Sequence, residues 1–349
     1  SQSVCATLAP SPRCPIYKLR TARGADLRKI HTREERVPTR RNFMQQSAAA
    51  AFVASVYAHP TAASAAAGMS ASAATGMTLR EIPSTGEKIP VIGMGTSGSF
   101  EVDDGSPEYD ALRDVLRRFF AGGGSVIDTA PTYGVAEDRL GALLAELNLR
   151  PKAWIATKLS GVRGREAGLA QFNASLARLK TDRVELLQVH NLGDLDTQLA
   201  LIRDLKAQGK TRYTGVTHYL ESSHDTLANV IAKEKPDFLQ INYSVVSRGA
   251  ENRLLPLAKD LGIAVLINRA FEDGKLFARV KDKPLPAWAG EAGITSWAQA
   301  FLRFALSNPA VTAVIPATGK PDRQSDNLRA GSGVSLTDKQ RAALIEAIG

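Results

Sequence analysis

At 349 residues, with 44% hydrophobic and 23% charged side chains, the chain has the composition of a folded globular protein, not of a disordered chain or a membrane bundle. Its formal net charge of +9 would suit a nucleic-acid or anionic-lipid partner, but residues 1–41 hold ten Lys and Arg against Asp26, Glu34 and Glu35. That leader carries +7 of the total, so the +2 left downstream makes no case for nucleic-acid binding.

The leader ends in Arg40-Arg41-Asn42-Phe43-Met44. An alanine-rich stretch over 47–58 follows, then a small-residue tract over 61–75 with Ala63-Ser64-Ala65 and Ala71-Ser72-Ala73 as cleavage sites. This order resembles a twin-arginine export signal, although the 39 residues ahead of Arg40 are long for a signal's charged region. The apolar run is too short and too rich in alanine for a permanent membrane span. The expectation is a disordered basic leader and signal over 1–77, with Arg40-Arg41 engaging export machinery and the folded protein delivered to a periplasm. An inactive leader would leave it cytoplasmic. Cys5 and Cys14 both lie in the leader, so the domain over 78–349 has no disulfide, thiol catalyst or cysteine metal site, and no metal is expected.

From Lys88 onward, short runs rich in Val, Ile and Leu alternate with stretches of helical period. Strands are predicted over 89–92, 126–128, 154–158, 186–190, 213–216, 238–241, 264–267 and 313–315. Helices are predicted over 110–120, 136–147, 166–179, 195–208, 222–234, 251–261, 296–306 and 321–330, with a last one near 336–348. Strand ends recur about every 30 residues, the length of a βαβ unit, and the continuously apolar strands imply a sheet covered on both faces. The fold class is α/β, a (β/α)8 TIM barrel, with a doubly wound open sheet as the competitor. Gly93-Met-Gly95-Thr-Ser-Gly98 spells G-x-G-x-x-G after the first strand. No helix begins at once to meet a pyrophosphate, so it is not a dinucleotide fingerprint.

In such a barrel, function sits where the strands end. Asp128 ends the second strand, Tyr133 follows it, Lys158 ends the third and His190 the fourth. An ammonium and an imidazole beside a phenol are the groups that make it a usable acid, and the arrangement points to carbonyl reduction. Thr217 and His218 emerge from the fifth strand and Gln240 lies in the sixth. The loop after the eighth strand and the helix beginning at Pro321 should bind phosphate.

Three segments carry a specific resemblance: Gly86-Glu-Lys-Ile-Pro-Val-Ile-Gly-Met-Gly-Thr96, Asp128-Thr-Ala-Pro-Thr-Tyr-Gly-Val-Ala-Glu137 and Ile315-Pro-Ala-Thr-Gly-Lys-Pro-Asp-Arg-Gln-Ser-Asp-Asn327. They are similar to the aldo-keto reductase family over about residues 78–349. The resemblance implies a barrel that binds NADPH/NADP+ without a Rossmann fold and reduces a small aldehyde or ketone, with Asp128, Tyr133, Lys158 and His190 as the catalytic tetrad. In that scheme Tyr133 donates the proton, Lys158 lowers its pKa, Asp128 fixes Lys158 and His190 orients the carbonyl. The resemblance also places Thr217, His218, Gln240, Phe271, Thr318, Lys320, Arg323, Asp326 and Asn327 at the cofactor, Arg323 on the 2′-phosphate and Asp326 with Asn327 at the adenine.

Some positions depart from the family. His218 stands where an asparagine usually holds the nicotinamide carboxamide, Asn268-Arg269-Ala270-Phe271 replaces the usual stacking ring, and Ala317 replaces a common lysine near Lys320. These departures keep a second class open, an NADPH-binding barrel acting as a redox sensor or interaction subunit. A third, a phosphate-dependent isomerase or lyase, would not need Tyr133 beside Lys158. The absence of a long aromatic-bearing tail favours a small or open-ended substrate, and Trp288 is either pocket lining or core.

Overall fold

The computed structural model describes residues 76–349, so the expected leader, signal and cleavage sites over 1–75 lie outside the described residues. The chain enters through an antiparallel hairpin, β1 (Leu79–Glu81) and β2 (Lys88–Pro90). Eight parallel strands follow: β3 (Met94–Gly95), β4 (Val126–Asp128), β5 (Trp154–Leu159), β6 (Val184–His190), β7 (Thr211–His218), β8 (Phe238–Asn242), β9 (Ala264–Asn268) and β10 (Ala313–Val314). They pair in chain order, and the first and last are joined by Gly93 N to Val314 O at 2.8 Å, Gly95 N to Pro316 O at 3.1 Å and Val314 N to Val91 O at 2.9 Å. The sheet is thus a barrel, as the repeat of strand and helix predicts, and not an open sheet.

The run predicted as a first barrel strand over 89–92 is divided between two jobs. Ile89 belongs to the hairpin and packs with Ile82 into the inner core, plugging the barrel's lower end, while Ile92 bridges Val314 and the ladder proper starts at Met94. An apolar run reads alike in a plug and in a strand, so periodicity could not separate them. Two glycines of the rejected fingerprint lie close against the neighbouring strands. A Cβ on Gly93 would sit 2.9 Å from Val126 O, and one on Gly95 2.9 Å from Ile315 O. Glycine lets these backbones approach.

Helices cover the outside: α1 (Pro107–Ala121), α2 (Ala136–Glu146), α3 (Arg165–Arg178), α4 (Leu195–Ala207), α5 (His224–Glu234), α6 (Leu254–Asp260), α7 (Lys275–Arg279), α8 (Trp297–Leu306), α9 (Pro321–Arg329) and α10 (Asp338–Ile348). Short α7 lies in the long β9–α8 connection and was not expected. The barrel strands β4 to β9 carry buried residues on both faces. Ile127, Ile155, Leu187, Val216, Leu239 and Val265 face the helices, while Val126, Trp154, Leu186, Tyr213, Phe238 and Ala264 fill the interior. Trp154 packs near Tyr213 and Phe238 there, with ring centroids 5.4–5.9 Å apart.

Inward positions recur every second residue, so moving up each strand from that apolar layer leads to Asp128, Lys158, His190, Thr217, Gln240 and Asn268. The interior is apolar below and polar above. The register staggers the strands: Asp128 pairs with Ala156, Lys158 with Gln188, His190 with Thr217 and Thr217 with Gln240. This brings the strand ends to one mouth.

Candidate active site

Lys158 has no exposed surface, and its ammonium is held by Asp128 Oδ2 at 2.7 Å and the Thr129 carbonyl at 2.7 Å. Two of its three N–H groups are thereby taken, and Nζ lies 4.9 Å from the centroid of the Tyr133 ring, which leaves the third for the phenol side. Asp128 is itself fixed from the other side, by Gln240 Nε2 at 2.8 Å and Gln188 Nε2 at 3.3 Å. Gln188 is a site-supporting residue that sequence reasoning missed. Its only signal is a polar residue inside the apolar run from Leu186 to Val189.

The electrostatics differ in one respect from the sequence expectation. Burial pushes the Tyr133 hydroxyl above the ordinary phenol value, and the attraction of Lys158 offsets this only in part, with Asp128 opposing it. Lys158 therefore restrains a pKa that burial raises and does not bring it below its usual position. For Lys158, burial disfavours the charge, but Asp128 and Tyr133 together hold its pKa above the ordinary lysine value. His190 is pushed down to about 3 by burial, by Lys158 and, least, by His218, so its ring is neutral at physiological pH. Its Nδ1 lies 2.6 Å from Ser160 Oγ, and its ring meets that of Tyr133 edge to face at 6.0 Å.

Asp128, Tyr133 and His190 line one cavity of about 660 Å³, with Lys158 directly behind them. Thr217, Gln240, Phe271 and Arg323 line the same cavity, which runs from the polar strand ends along Ile315, Pro316 and Ala317 to α9. Gln240 is less free than expected. It donates to Asp128 and accepts from Thr217 Oγ1 at 3.0 Å, so its main contacts are to the site's own framework.

His218 is not among the residues that line the cavity: Leu220 N donates to its Nδ1 at 3.1 Å, and its Nε2 lies 3.2 Å from Ser223 Oγ. Both ring nitrogens are occupied within its own loop. Thr318 and Lys320 lie outside the lining, where Thr318 Oγ1 accepts from Lys320 N at 3.1 Å and Lys320 occupies the N-cap position of α9. Asp326 is bound by Ser296 Oγ at 2.5 Å, Gln299 Nε2 at 2.7 Å and Arg329 at 3.0 Å. It ties α9 to α8 instead of reaching outward, while Asn327 beside it is buried. Trp288 packs against the outer core and does not line the cavity.

Asn268 and Arg269, which the sequence offers only as departures from the family, line the cavity, and so does Tyr219, which sequence reasoning missed. Arg269 has a positive φ of 54°, pairs with Asp273, and places its guanidinium 5.2 Å from the Tyr219 ring centroid. Asn268 Oδ1 is buried without a hydrogen-bond partner. Such an orphaned acceptor in a cavity wall suits a ligand amide. With Arg323 exposed at the far end and forming no ion pair among the described residues, the groove fits a long anionic dinucleotide.

A model of the aldo/keto reductase family matches residues 91–348. The chain belongs to the aldo/keto reductase family. Among curated relatives of this aldo/keto reductase, the aldo-keto reductase YhdN of Bacillus subtilis is 27% identical over 221 residues, 59% of this chain and 66% of that one. The L-galactose dehydrogenase of Arabidopsis thaliana is 30% identical over 210 residues, 55% of this chain and 65% of that one. The matched regions thus span just under two thirds of these relatives. Of solved structures, an aldo/keto reductase from Klebsiella pneumoniae in complex with NADP and acetate aligns at a TM-score of 0.62 and 26% identity, covering 74% of this chain and 91% of the other. AKR11C1 of Bacillus halodurans aligns at 0.65 and 21% identity, a likeness of fold.

Proposed function

We propose that this aldo/keto reductase reduces a small aldehyde or ketone to the alcohol with NADPH, and that Tyr133 is the proton donor. The observation that carries the proposal is the buried Lys158 ammonium, held by Asp128 at 2.7 Å and lying 4.9 Å from the Tyr133 ring. A nicotinamide held in this groove would supply the hydride for the carbonyl carbon. As charge grows on the carbonyl oxygen, Tyr133 gives it the phenolic proton and Lys158 stabilises the phenolate left behind, which later regains a proton from water. Neutral His190 orients the carbonyl from the other side, and Asp128 keeps Lys158 charged.

Asn268, Thr217 and Phe271 are the wall residues suited to hold the nicotinamide end, and Arg323 suits an adenosine 2′-phosphate through a forked guanidinium. The support for NADPH is chemical, together with the NADP complex of the Klebsiella relative. A relative from Escherichia coli, 26% identical, is a NADH-specific methylglyoxal reductase, so the comparison of NADPH with NADH is part of the test. The decisive experiment mixes the purified chain with each cofactor and a panel of aldehydes, ketones and sugars, following the nicotinamide absorbance. Rapid loss with NADPH supports the reductase. Binding without oxidation favours a redox sensor or interaction subunit, the reading that His218 in place of the family's usual asparagine keeps open, and no binding at all defeats both.

Arg40-Arg41 and the small-residue tract after it support a further proposal: the chain is exported folded to a periplasm, with its cofactor loaded beforehand. Fractionating cells and extracting nucleotide from the periplasmic protein tests this. A cytoplasmic, nucleotide-free protein would defeat both the export and the loading.

A further inference from the structure

Ser160 lies two residues beyond Lys158, is nearly buried, and no part of the reaction scheme above uses it. Its hydroxyl is 2.6 Å from His190 Nδ1 and 3.0 Å from the hydroxyl of Thr132, the neighbour of Tyr133. Its backbone is gripped from helix α3, where Gln171 accepts from Ser160 N at 2.8 Å and donates to Ser160 O at 2.8 Å. A side chain that uses both ends of its amide on one residue's peptide holds that residue in place. The hydroxyl is thereby aimed at the imidazole.

A neutral imidazole has one N–H and one bare nitrogen, and the partner of one nitrogen decides the state of the other. Among the described residues, Ser160 is the hydrogen-bond partner of Nδ1 and Nε2 has none. Since His190 lines the cavity, Nε2 is the nitrogen left for a ligand. To steady a carbonyl oxygen it must carry the hydrogen, which requires Nδ1 to accept. A backbone carbonyl or carboxylate at the Ser160 position would accept only and force the hydrogen onto Nδ1. A hydroxyl can donate, and Thr132 can then donate to the freed lone pair of Ser160, giving a chain that runs from Thr132 through Ser160 to His190.

We propose that Ser160, clamped by Gln171 and backed by Thr132, is a positioning residue that fixes His190 in its Nε2–H tautomer and so makes it a hydrogen-bond donor to the carbonyl oxygen. The proposal deepens the reductase reading and rests on it.

The test is nuclear magnetic resonance of the full chain labelled with 15N-histidine, in which long-range 1H–15N correlations distinguish the two tautomers of His190. The other histidines, His31, His59, His218 and His224, are assigned by substitution. The expected result is Nε2–H in the parent, a shift toward Nδ1–H or an exchanging mixture in Ser160→Ala, and the parent pattern regained in Ser160→Thr. Kinetically, Ser160→Ala should lower kcat about tenfold, because the donor is misdirected and not lost, with the Kd for NADPH within about twofold of the parent. If Ser160→Ala does not fold, Gln171→Met, which loosens the clamp and keeps the hydroxyl, should move the same signals in the same direction. An Nδ1–H tautomer in the parent, or a tautomer unmoved by Ser160→Ala or by Gln171→Met, overturns the proposal. A parent that binds NADPH but reduces no carbonyl would strike the reductase reading instead, and the tautomer measurement tells that failure apart.

Discussion

Lys158 and Asp128 form an ion pair with Nζ 2.7 Å from Oδ2, and neither side chain is more than 5% exposed. Such a pair gains little over an apolar replacement of both partners, but removing one strands the other in a dry interior. In the proposed mechanism the pair serves to keep an ammonium beside Tyr133.

Lys158→Met should accordingly destabilise the fold by about 3–5 kcal/mol, because the Asp128 carboxylate is left with only the amides of Gln188 and Gln240. Urea denaturation followed by circular dichroism measures this. A midpoint unchanged from the parent would mean that water reaches Asp128 in the folded protein.

Tyr133→Phe keeps the ring against Lys158 and removes only the donor. Carbonyl reduction should fall by about 2.7–4 kcal/mol in transition-state stabilisation, or 10²–10³ in kcat. Affinity for NADPH by fluorescence titration should stay near the parent's. Retained turnover would reassign the proton donor.

Because burial raises the Tyr133 pKa above the ordinary phenol value near 10, the proton to be donated stays in place well into alkaline pH. Reduction rates should be level from neutral pH upward and fall only above about pH 10, as the phenol ionises. A rate that already declines near pH 8 would show that Lys158 outweighs burial.

His190 ties stability to acid. Its folded pKa of about 3 lies below the unfolded value of about 6.5, so the unfolded chain binds the extra proton between those limits. Its contribution is complete above about pH 6.5 and is lost as pH falls toward 3, by at most about 1.4 kcal/mol per unit. His190→Gln should flatten the dependence of unfolding free energy on pH in that window, measured by denaturant titration at several pH values.

Arg323 forms no ion pair among the described residues and faces the far end of the cavity. Arg323→Ala should weaken NADPH binding by about tenfold to a hundredfold, the value of a charge-assisted hydrogen bond, while leaving NADH binding almost unchanged. Equal losses for both cofactors would place Arg323 away from the 2′-phosphate.

The barrel was legible because each strand's apolar run and each helix's spacing report burial directly, and burial has one cause. The strand ends at Asp128, Lys158 and His190 were legible for the same reason, since a polar residue closing an apolar strand marks the mouth. Ser160, Gln171 and Gln188 were not. They act through contacts 11–60 positions away in the chain, and no local pattern records which distant groups meet.

His218 and Asp326 make the contrast sharpest. By position both suited a cofactor, yet their hydrogen-bonding atoms are taken by Leu220 and Ser223 in one case and by Ser296, Gln299 and Arg329 in the other. The amino-acid order by itself determined an eight-unit barrel with its polar residues at one end, because the periods of two and of about 3.6 are written in the chain. Only the tertiary structure decided which polar groups remain free for a ligand, because hydrogen-bonding capacity is finite and is claimed first by whichever neighbours the fold brings within hydrogen-bonding distance.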